Sequence, residues 1–110
     1  MIRNYTPHDI VIVRQAGNLI LKSEGIARIS QETQVVDSMD GIPLSVSRFG
    51  EAVGLPEPEE ETMLIVSQMV FSALPKRMDL LVPTDMVRDD TGRIIGCRSL
   101  GMKIPEYVIL

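Results

Sequence analysis

The chain has 110 residues, 45% of them hydrophobic and 24% charged, which fits one globular domain and argues against a disordered chain. Its 15 acidic and 11 basic residues give a net charge of -4, which disfavours general nucleic-acid binding because phosphate contacts need clustered Lys and Arg. The single cysteine allows no intramolecular disulfide, and the lack of a signal peptide or of about 20 consecutive apolar residues predicts a cytoplasmic protein that does not enter the membrane.

The first half of the chain is predicted to form strands. Apolar or alternating runs occupy residues 9–13, 18–22, 27–36 and 42–46. The segment 15–17 is a plausible turn between the first two runs, and Asp40 and Gly41 are a strong turn signal between the last two. Pro43 lacks a donor N–H, which indicates an edge strand or the start of a strand.

The second half changes pattern after an acidic, proline-containing connector at residues 54–62. A strand at 63–66, a short helix at 68–74 capped by Ser67, and a strand at 79–82 ended by Pro83 follow in the order of a βαβ unit. The connection is near the minimum length for a parallel crossover, so an antiparallel arrangement remains open.

The last third contains a turn and an apolar end. Residues 90–92 form a turn signal before the run 93–98, and residues 107–110 are expected to dock as a final strand or to lie in a subunit interface. The predicted fold class is α+β, mainly β-strands and hairpins with one short helix, in a single compact domain spanning residues 1–110.

Two residues invite a catalytic interpretation, and both have a simpler one. His8 precedes Asp9 and could act as a general base, but the favoured alternative is that Thr6 and His8 satisfy backbone groups near the first strand. Arg98 could lower the pKa of Cys97, although a lone cysteine is more often a buried small hydrophobe. Without a recognisable set of nucleophile and base, the sequence predicts a protein that is not an enzyme.

Metal and cofactor sites are not predicted. One histidine and one cysteine lack the spacing of zinc ligands. The carboxylates of Asp85, Asp89 and Asp90 do not follow the calcium-loop pattern, and Asp89 and Asp90 are expected to begin a hairpin turn instead.

Two arginines are the best candidates for ligand contacts. Arg28 and Arg98 each stand in a small or apolar stretch near glycine, where a guanidinium must find acceptors. One option is an ion pair with one of the 15 carboxylates, and the other is a bidentate grip on a phosphate or carboxylate ligand. Tyr5 and Phe49 could stack on a base or sugar, or could simply pack.

The chain resembles a family of short bacterial and prophage proteins. The resemblance is carried by Asn-x-Thr-Pro-His at residues 4–8, Gly-Leu-Pro-Glu-Pro at 54–58, Asp-Leu-Leu-Val-Pro at 79–83, Val-Arg-Asp at 87–89 and Gly-Arg-Ile-Ile-Gly-Cys-Arg at 92–98. These blocks span most of the chain, and they identify membership without implying an activity.

The chain is also similar to the Thoeris anti-defence sponges, phage proteins that sequester signals of the cyclic ADP-ribose type. That resemblance implies a small homo-oligomeric α+β protein in which arginines near subunit interfaces hold the ligand phosphates, and Arg28 and Arg98 would match such arginines. The candidate ligand-binding residues are Arg28, Arg98, His8, Thr6, Tyr5 and Phe49.

Two functions follow as hypotheses. The first is a non-catalytic binding protein that sequesters a small, phosphate-bearing, nucleotide-derived ligand in a pocket lined by Arg28 and Arg98, between subunits. The second is a structural or protein-interaction module of a phage particle or regulatory complex, for which the apolar C-terminus and seven methionines would supply adaptable contacts.

Overall fold

The computed structural model describes residues 1–109, which form eight strands and one short helix. In chain order these are β1 (Ile2–Asn4), β2 (Ile10–Ile12), β3 (Leu19–Leu21), β4 (Arg28–Met39), β5 (Ile42–Val53), β6 (Met63–Ile65), α1 (Gln68–Ala73), β7 (Leu80–Arg88) and β8 (Ile94–Met102). Six of the strands make one sheet, and β4 and β5 make a separate hairpin.

The six-stranded sheet curls until its two outer strands almost meet. Its order is β1-β6-β7-β8-β2-β3, with parallel pairing at β1–β6, β6–β7 and β2–β8 and antiparallel pairing at β7–β8 and β2–β3. Just beyond β3, Ser23 forms a parallel bridge with Asn4 of β1, and the Glu24 N–H donates to the Asn4 carbonyl oxygen at 2.8 Å. The sheet is therefore a nearly closed barrel, which leaves few free strand edges.

The centre of the core comes from β6 and the residue that follows it. Leu64, Ile65 and Val66 are almost completely buried because β6 lies between two neighbouring strands. Leu80 of β7 and Val70 of α1 pack against the same cluster. The continuous apolar run predicted as a buried strand is thus confirmed.

The predicted strand–helix–strand unit is present, and its two strands are parallel. The helix begins after Ser67, whose Oγ accepts the Val70 N–H at 3.3 Å. The prediction that Pro83 ends the second strand is wrong, because β7 continues to Arg88. Beyond Leu81 this strand pairs only with β8. Its other edge makes no hydrogen bonds to a neighbouring strand there, so the missing N–H of Pro83 is tolerated.

The hairpin turn between β7 and β8 is formed by Asp89 as expected. Its carboxylate accepts the backbone N–H groups of Thr91 and Arg93 and the Thr91 hydroxyl, and the hydroxyl contact holds the pKa of Asp89 below its ordinary value. The expected final strand at the C-terminus is absent from residues 107–109, since the Val108 N–H donates to the Pro105 carbonyl in a turn. Leu110, the last residue of that prediction, lies outside the described residues.

Strands β4 and β5 form a long two-stranded ribbon, called the arm below. Each strand has 12 residues, and the turn between them places Asp40 at φ 52° and Gly41 at φ 76°, the left-handed pair that a tight hairpin turn needs. No strand of the six-stranded sheet pairs with the arm, and nearly all of its side chains are exposed. The predicted hairpin is confirmed, and both strands run further than the sequence indicated.

The fold class is confirmed as α+β, mainly β, with one short helix in a single domain. The arm extends from a compact barrel, and the principal extents of the molecule are 54 × 40 × 33 Å. Within residues 1–109, no helix combines the length and the apolar character needed to cross a bilayer.

Candidate functional site

The turn at residues 4–8 is organised around a buried asparagine. Asn4 is 1% exposed, and its Nδ2 donates to the carbonyl oxygens of His8 at 2.8 Å and Leu21 at 2.9 Å. Its Oδ1 accepts the Thr6 N–H at 2.9 Å, and the Thr6 hydroxyl lies 2.7 Å from the same oxygen. Thr6 and Asn4 therefore serve to satisfy this turn internally and to join it to β3.

His8 and Asp9 do not form a general-base pair through the Asp9 carboxylate. That carboxylate accepts the Ser23 N–H at 3.0 Å and the Lys22 ammonium at 3.1 Å, and these contacts, the Ser23 bond first, lower the pKa of Asp9. His8 contributes its backbone carbonyl to the turn, while its side chain is exposed. The structure therefore favours the structural interpretation of this pair.

Arg28 lies at the base of the arm, beside an open cleft of about 330 Å³. The cleft is lined by Pro7, Ile26, Ala27, Arg28, Ile29, Ser67, Met69 and Val70. Among residues 1–109, no acidic side chain comes within 4 Å of the Arg28 guanidinium. This cationic group is thus not neutralised by an ion pair, and it stands beside a mostly apolar wall.

Arg98 lies elsewhere, on β8, and is not among the residues that line the Arg28 cleft. Its Nη1 is 3.8 Å from Asp85 Oδ1, and both side chains are more than half exposed. A contact of that length in water contributes little free energy. Arg98 therefore remains available to an anionic ligand, but one chain does not bring it to the same cleft as Arg28.

The two candidate aromatic residues occupy different parts of the molecule. Tyr5 packs against the buried core cluster, and its ring lies so close to Gly25 that a Cβ there would be 2.9 Å from Cε1. Phe49 is on the arm opposite Gln31 and is 46% exposed. Tyr5 consequently acts as a packing residue, whereas Phe49 is free to contact another molecule.

Cys97 is a buried thiol whose pKa is raised, chiefly because burial disfavours the thiolate. The hypothesis that Arg98 lowers this pKa is wrong, since burial raises the pKa of Cys97 and the neighbouring Arg98 side chain is exposed. A thiol with a raised pKa is a poor nucleophile near neutral pH.

Sequence reasoning missed the part that three residues play in this region. Asn4 was seen only as part of a motif, although Asn side chains commonly hydrogen-bond the backbone two residues further on. Ser67 was predicted only as a helix cap, and Met69 was not singled out; both line the Arg28 cleft. No local pattern reveals that contact, because it depends on how the arm joins the barrel.

Neither a metal-binding cluster nor a similarity to known proteins adds to this description of the site. Within residues 1–109, no three His, Cys, Asp or Glu side chains are grouped closely enough to hold a metal ion. No protein-family model, curated protein or solved structure matches this chain.

Proposed function

We propose that this protein is a non-catalytic binding protein that sequesters a small, phosphate-bearing, nucleotide-derived ligand in the cytoplasm. The proposed ligand class is the cyclic ADP-ribose type of signal, and the proposed role is that of a phage anti-defence sponge. The observation that carries the proposal is the Arg28 guanidinium, which has no ion-pair partner among residues 1–109 and stands at an open cleft.

The composition of the cleft suits such a ligand. Apolar side chains, including Ile26, Ile29 and Met69, offer a surface for a base or a ribose, while Arg28 offers a planar pair of donors to a phosphate. The Ser67 oxygen accepts the Val70 N–H, which leaves its hydroxyl proton free to donate. A volume of about 330 Å³ is at the lower end of the range for small-molecule sites.

A second copy of the chain is part of the proposal. Arg28 and Arg98 do not share a cleft within one chain, and Arg98 has only a long, exposed contact with Asp85. A site that uses both guanidinium groups on one diphosphate therefore needs Arg28 from one copy and Arg98 from another. Binding without turnover is supported by the character of two groups that could otherwise react: the Cys97 thiol has a raised pKa, and the Asp9 carboxylate is engaged by Ser23 and Lys22.

Calorimetric titration with cyclic ADP-ribose isomers, linear ADP-ribose and inorganic phosphate tests the proposal. We expect a cyclic isomer to bind, to raise the melting temperature by mass action, and to be recovered intact after the complex is heated. Arg28→Ala and Arg98→Ala should each weaken binding by about 10- to 100-fold, because each removes a charge-assisted contact. Arg93→Ala, an equally exposed arginine just before β8, is the matched control and should bind normally.

Two outcomes would contradict the proposal. Recovery of a chemically changed ligand would show turnover. Unchanged affinity in both the Arg28→Ala and Arg98→Ala variants would show that the guanidinium groups do not hold the ligand.

The second candidate function is a structural or protein-interaction module without a small-molecule ligand. It is favoured by the apolar surface at the C-terminus, where Tyr107 is 83% and Ile109 is 96% exposed. Under this alternative, the Arg28→Ala and Arg98→Ala variants would keep full function, whereas deletion of residues 107–110 would disrupt assembly.

A further inference from the structure

One face of the arm is apolar although nothing within residues 1–109 covers it. Side chains that stand directly opposite each other across the ribbon lie on the same face, and successive pairs alternate between the two faces. One face carries the pairs Met39–Ile42, Asp37–Leu44, Gln34–Val46 and Glu32–Arg48. The four large apolar side chains of this face, here called the apolar arm face, are 64% (Met39), 61% (Ile42), 39% (Leu44) and 50% (Val46) exposed.

The opposite face carries fewer large apolar side chains. It has Val35 (62% exposed) and Phe49 (46% exposed), together with Ser45 and with Thr33 and Ser47, whose hydroxyl oxygens are 3.0 Å apart. An isolated two-stranded ribbon is at best marginally stable in water, and it gains stability when one face is packed. The apolar arm face, with four large apolar side chains against two, is the side that gains more from a partner.

Charge on the apolar arm face points to the identity of that partner. Glu32 and Arg48 stand directly opposite each other, yet they do not form an ion pair within 4 Å in the described part of the chain. If a second arm is laid face to face and parallel, a two-fold axis along the arm places β4 of one copy over β5 of the other. Glu32 of each copy then meets Arg48 of the other, so the face is complementary to itself at this charged pair, while Asp37 of each copy lies over Leu44 of the other.

We propose that the protein forms a two-fold dimer in which the apolar arm faces of two copies stack in parallel. This inference goes beyond the proposed ligand and holds whatever the cleft binds. The arm face from Glu32 to Met39 is roughly 27 Å long and about two strands wide, so it buries only about 300 Å² per copy. A standard interface buries about 800 Å² per partner.

The shortfall in area favours the parallel arrangement over the antiparallel one. Parallel arms bring the two barrels side by side, so that barrel surface beyond the arms adds to the buried area. Antiparallel arms would instead hold the barrels at opposite ends, with contact through the arms alone. Parallel stacking therefore supplies both the charge match and the additional area.

The first test compares two neighbouring aspartate substitutions on β5 by sedimentation velocity over a range of concentrations. Leu44→Asp places a carboxylate over Asp37 of the other copy, and Ser45→Asp places the same charge on the opposite face. We expect Leu44→Asp to raise the dimer dissociation constant by at least ~10-fold, since like charges then meet at two places in each dimer. Ser45→Asp should leave the dissociation constant within about threefold of the original protein.

The second test uses charge steering between two full-length variants that carry different tags. Arg48→Glu alone and Glu32→Arg alone each bring like charges together in their own dimer, so each should dimerise weakly. When the two variants are mixed, both contacts are restored between unlike copies, and mixed dimers should predominate over either homodimer. A folding defect in either variant would not produce this preference.

Three results would overturn the inference. The original protein sedimenting as a 12.2 kDa monomer at every concentration would do so, as would equal effects of Leu44→Asp and Ser45→Asp. A mixture of the two charge variants without preferential pairing would exclude the parallel stack.

Discussion

Replacement of Asn4 by alanine should lower the free energy of unfolding by about 3 kcal/mol, and the melting temperature by roughly 10–20 °C. The side chain is buried and closes four contacts within residues 4–21, so its removal leaves the Leu21 carbonyl oxygen and the Thr6 N–H without these partners and the His8 carbonyl oxygen with the Thr6 hydroxyl alone. The loss would also loosen the junction at which β3 meets β1 and the barrel closes. Denaturant unfolding followed by circular dichroism measures the change.

His8→Ala is the matched control for this prediction. It alters the same turn, but it removes only an exposed side chain and keeps the backbone carbonyl that Asn4 and Thr6 use. Its effect should stay within about 0.5 kcal/mol. If His8→Ala destabilised the protein as much as Asn4→Ala, the imidazole would have a role that the hydrogen bonds do not show.

Replacement of Asp79 by alanine should cost about 2 kcal/mol of stability. Arg77 donates from Nε and Nη2 to the two carboxylate oxygens of Asp79, both at 2.8 Å, and Nη2 also donates to the Pro56 carbonyl at 2.9 Å. The Arg77 and Asp79 side chains are only 23% and 15% exposed, so the variant would leave the Arg77 guanidinium partly buried without its carboxylate partner. Asp79→Asn keeps an oxygen acceptor and should lose about half as much.

The effect of Asp79 should depend on pH with a defined sign. The hydrogen bonds from Arg77 hold the pKa of Asp79 below its ordinary value of 3.8, so the folded state favours the ionised carboxylate. The resulting stabilisation is present above the ordinary pKa and is lost as the pH falls through the lowered one. Urea unfolding of the original protein and of Asp79→Ala should differ by a constant amount from about pH 5 to 8, and the difference should shrink below about pH 4. A difference that grew in acid would contradict the ion pair.

Local patterns predicted the elements of this fold well. The turn residues Asp40 and Gly41 marked the arm, Ser67 marked the start of α1, and two short apolar runs marked β2 and β3. Each of these signals depends on neighbouring residues only. The errors arose where residues distant in sequence determine the extent of a strand. Strand β7 continues through Pro83 because only β8 pairs with it at that point.

Closure of the barrel and isolation of the arm were not predictable in the same way. The bridge between Asn4 and Ser23 joins residues far apart in sequence, and no periodic pattern in the sequence predicts it. The arm reads as an ordinary hairpin, and its separation from the sheet is evident only from the strand order. Arg28 was singled out as a cation in a small or apolar stretch near glycine, but its cleft depends on this arrangement of arm and barrel.

The proposed ligand site and the proposed arm dimer each require two copies of the chain. Parallel arms put the barrels side by side, and a site that uses both Arg28 and Arg98 needs one barrel to approach the base of the other arm. If the arm dimer is the one that forms this site, Leu44→Asp weakens ligand binding as well as dimerisation; if the two assemblies differ, it weakens dimerisation alone.

The most direct measurement titrates a cyclic ADP-ribose isomer into an equimolar mixture of the Arg28→Ala and Arg98→Ala proteins. If each site takes Arg28 from one copy and Arg98 from the other, every mixed dimer regains one intact site. Free exchange of subunits then restores about a quarter of the original number of tight sites, although neither variant alone has any. A mixture that binds no better than the separate variants would contradict a ligand held between two copies.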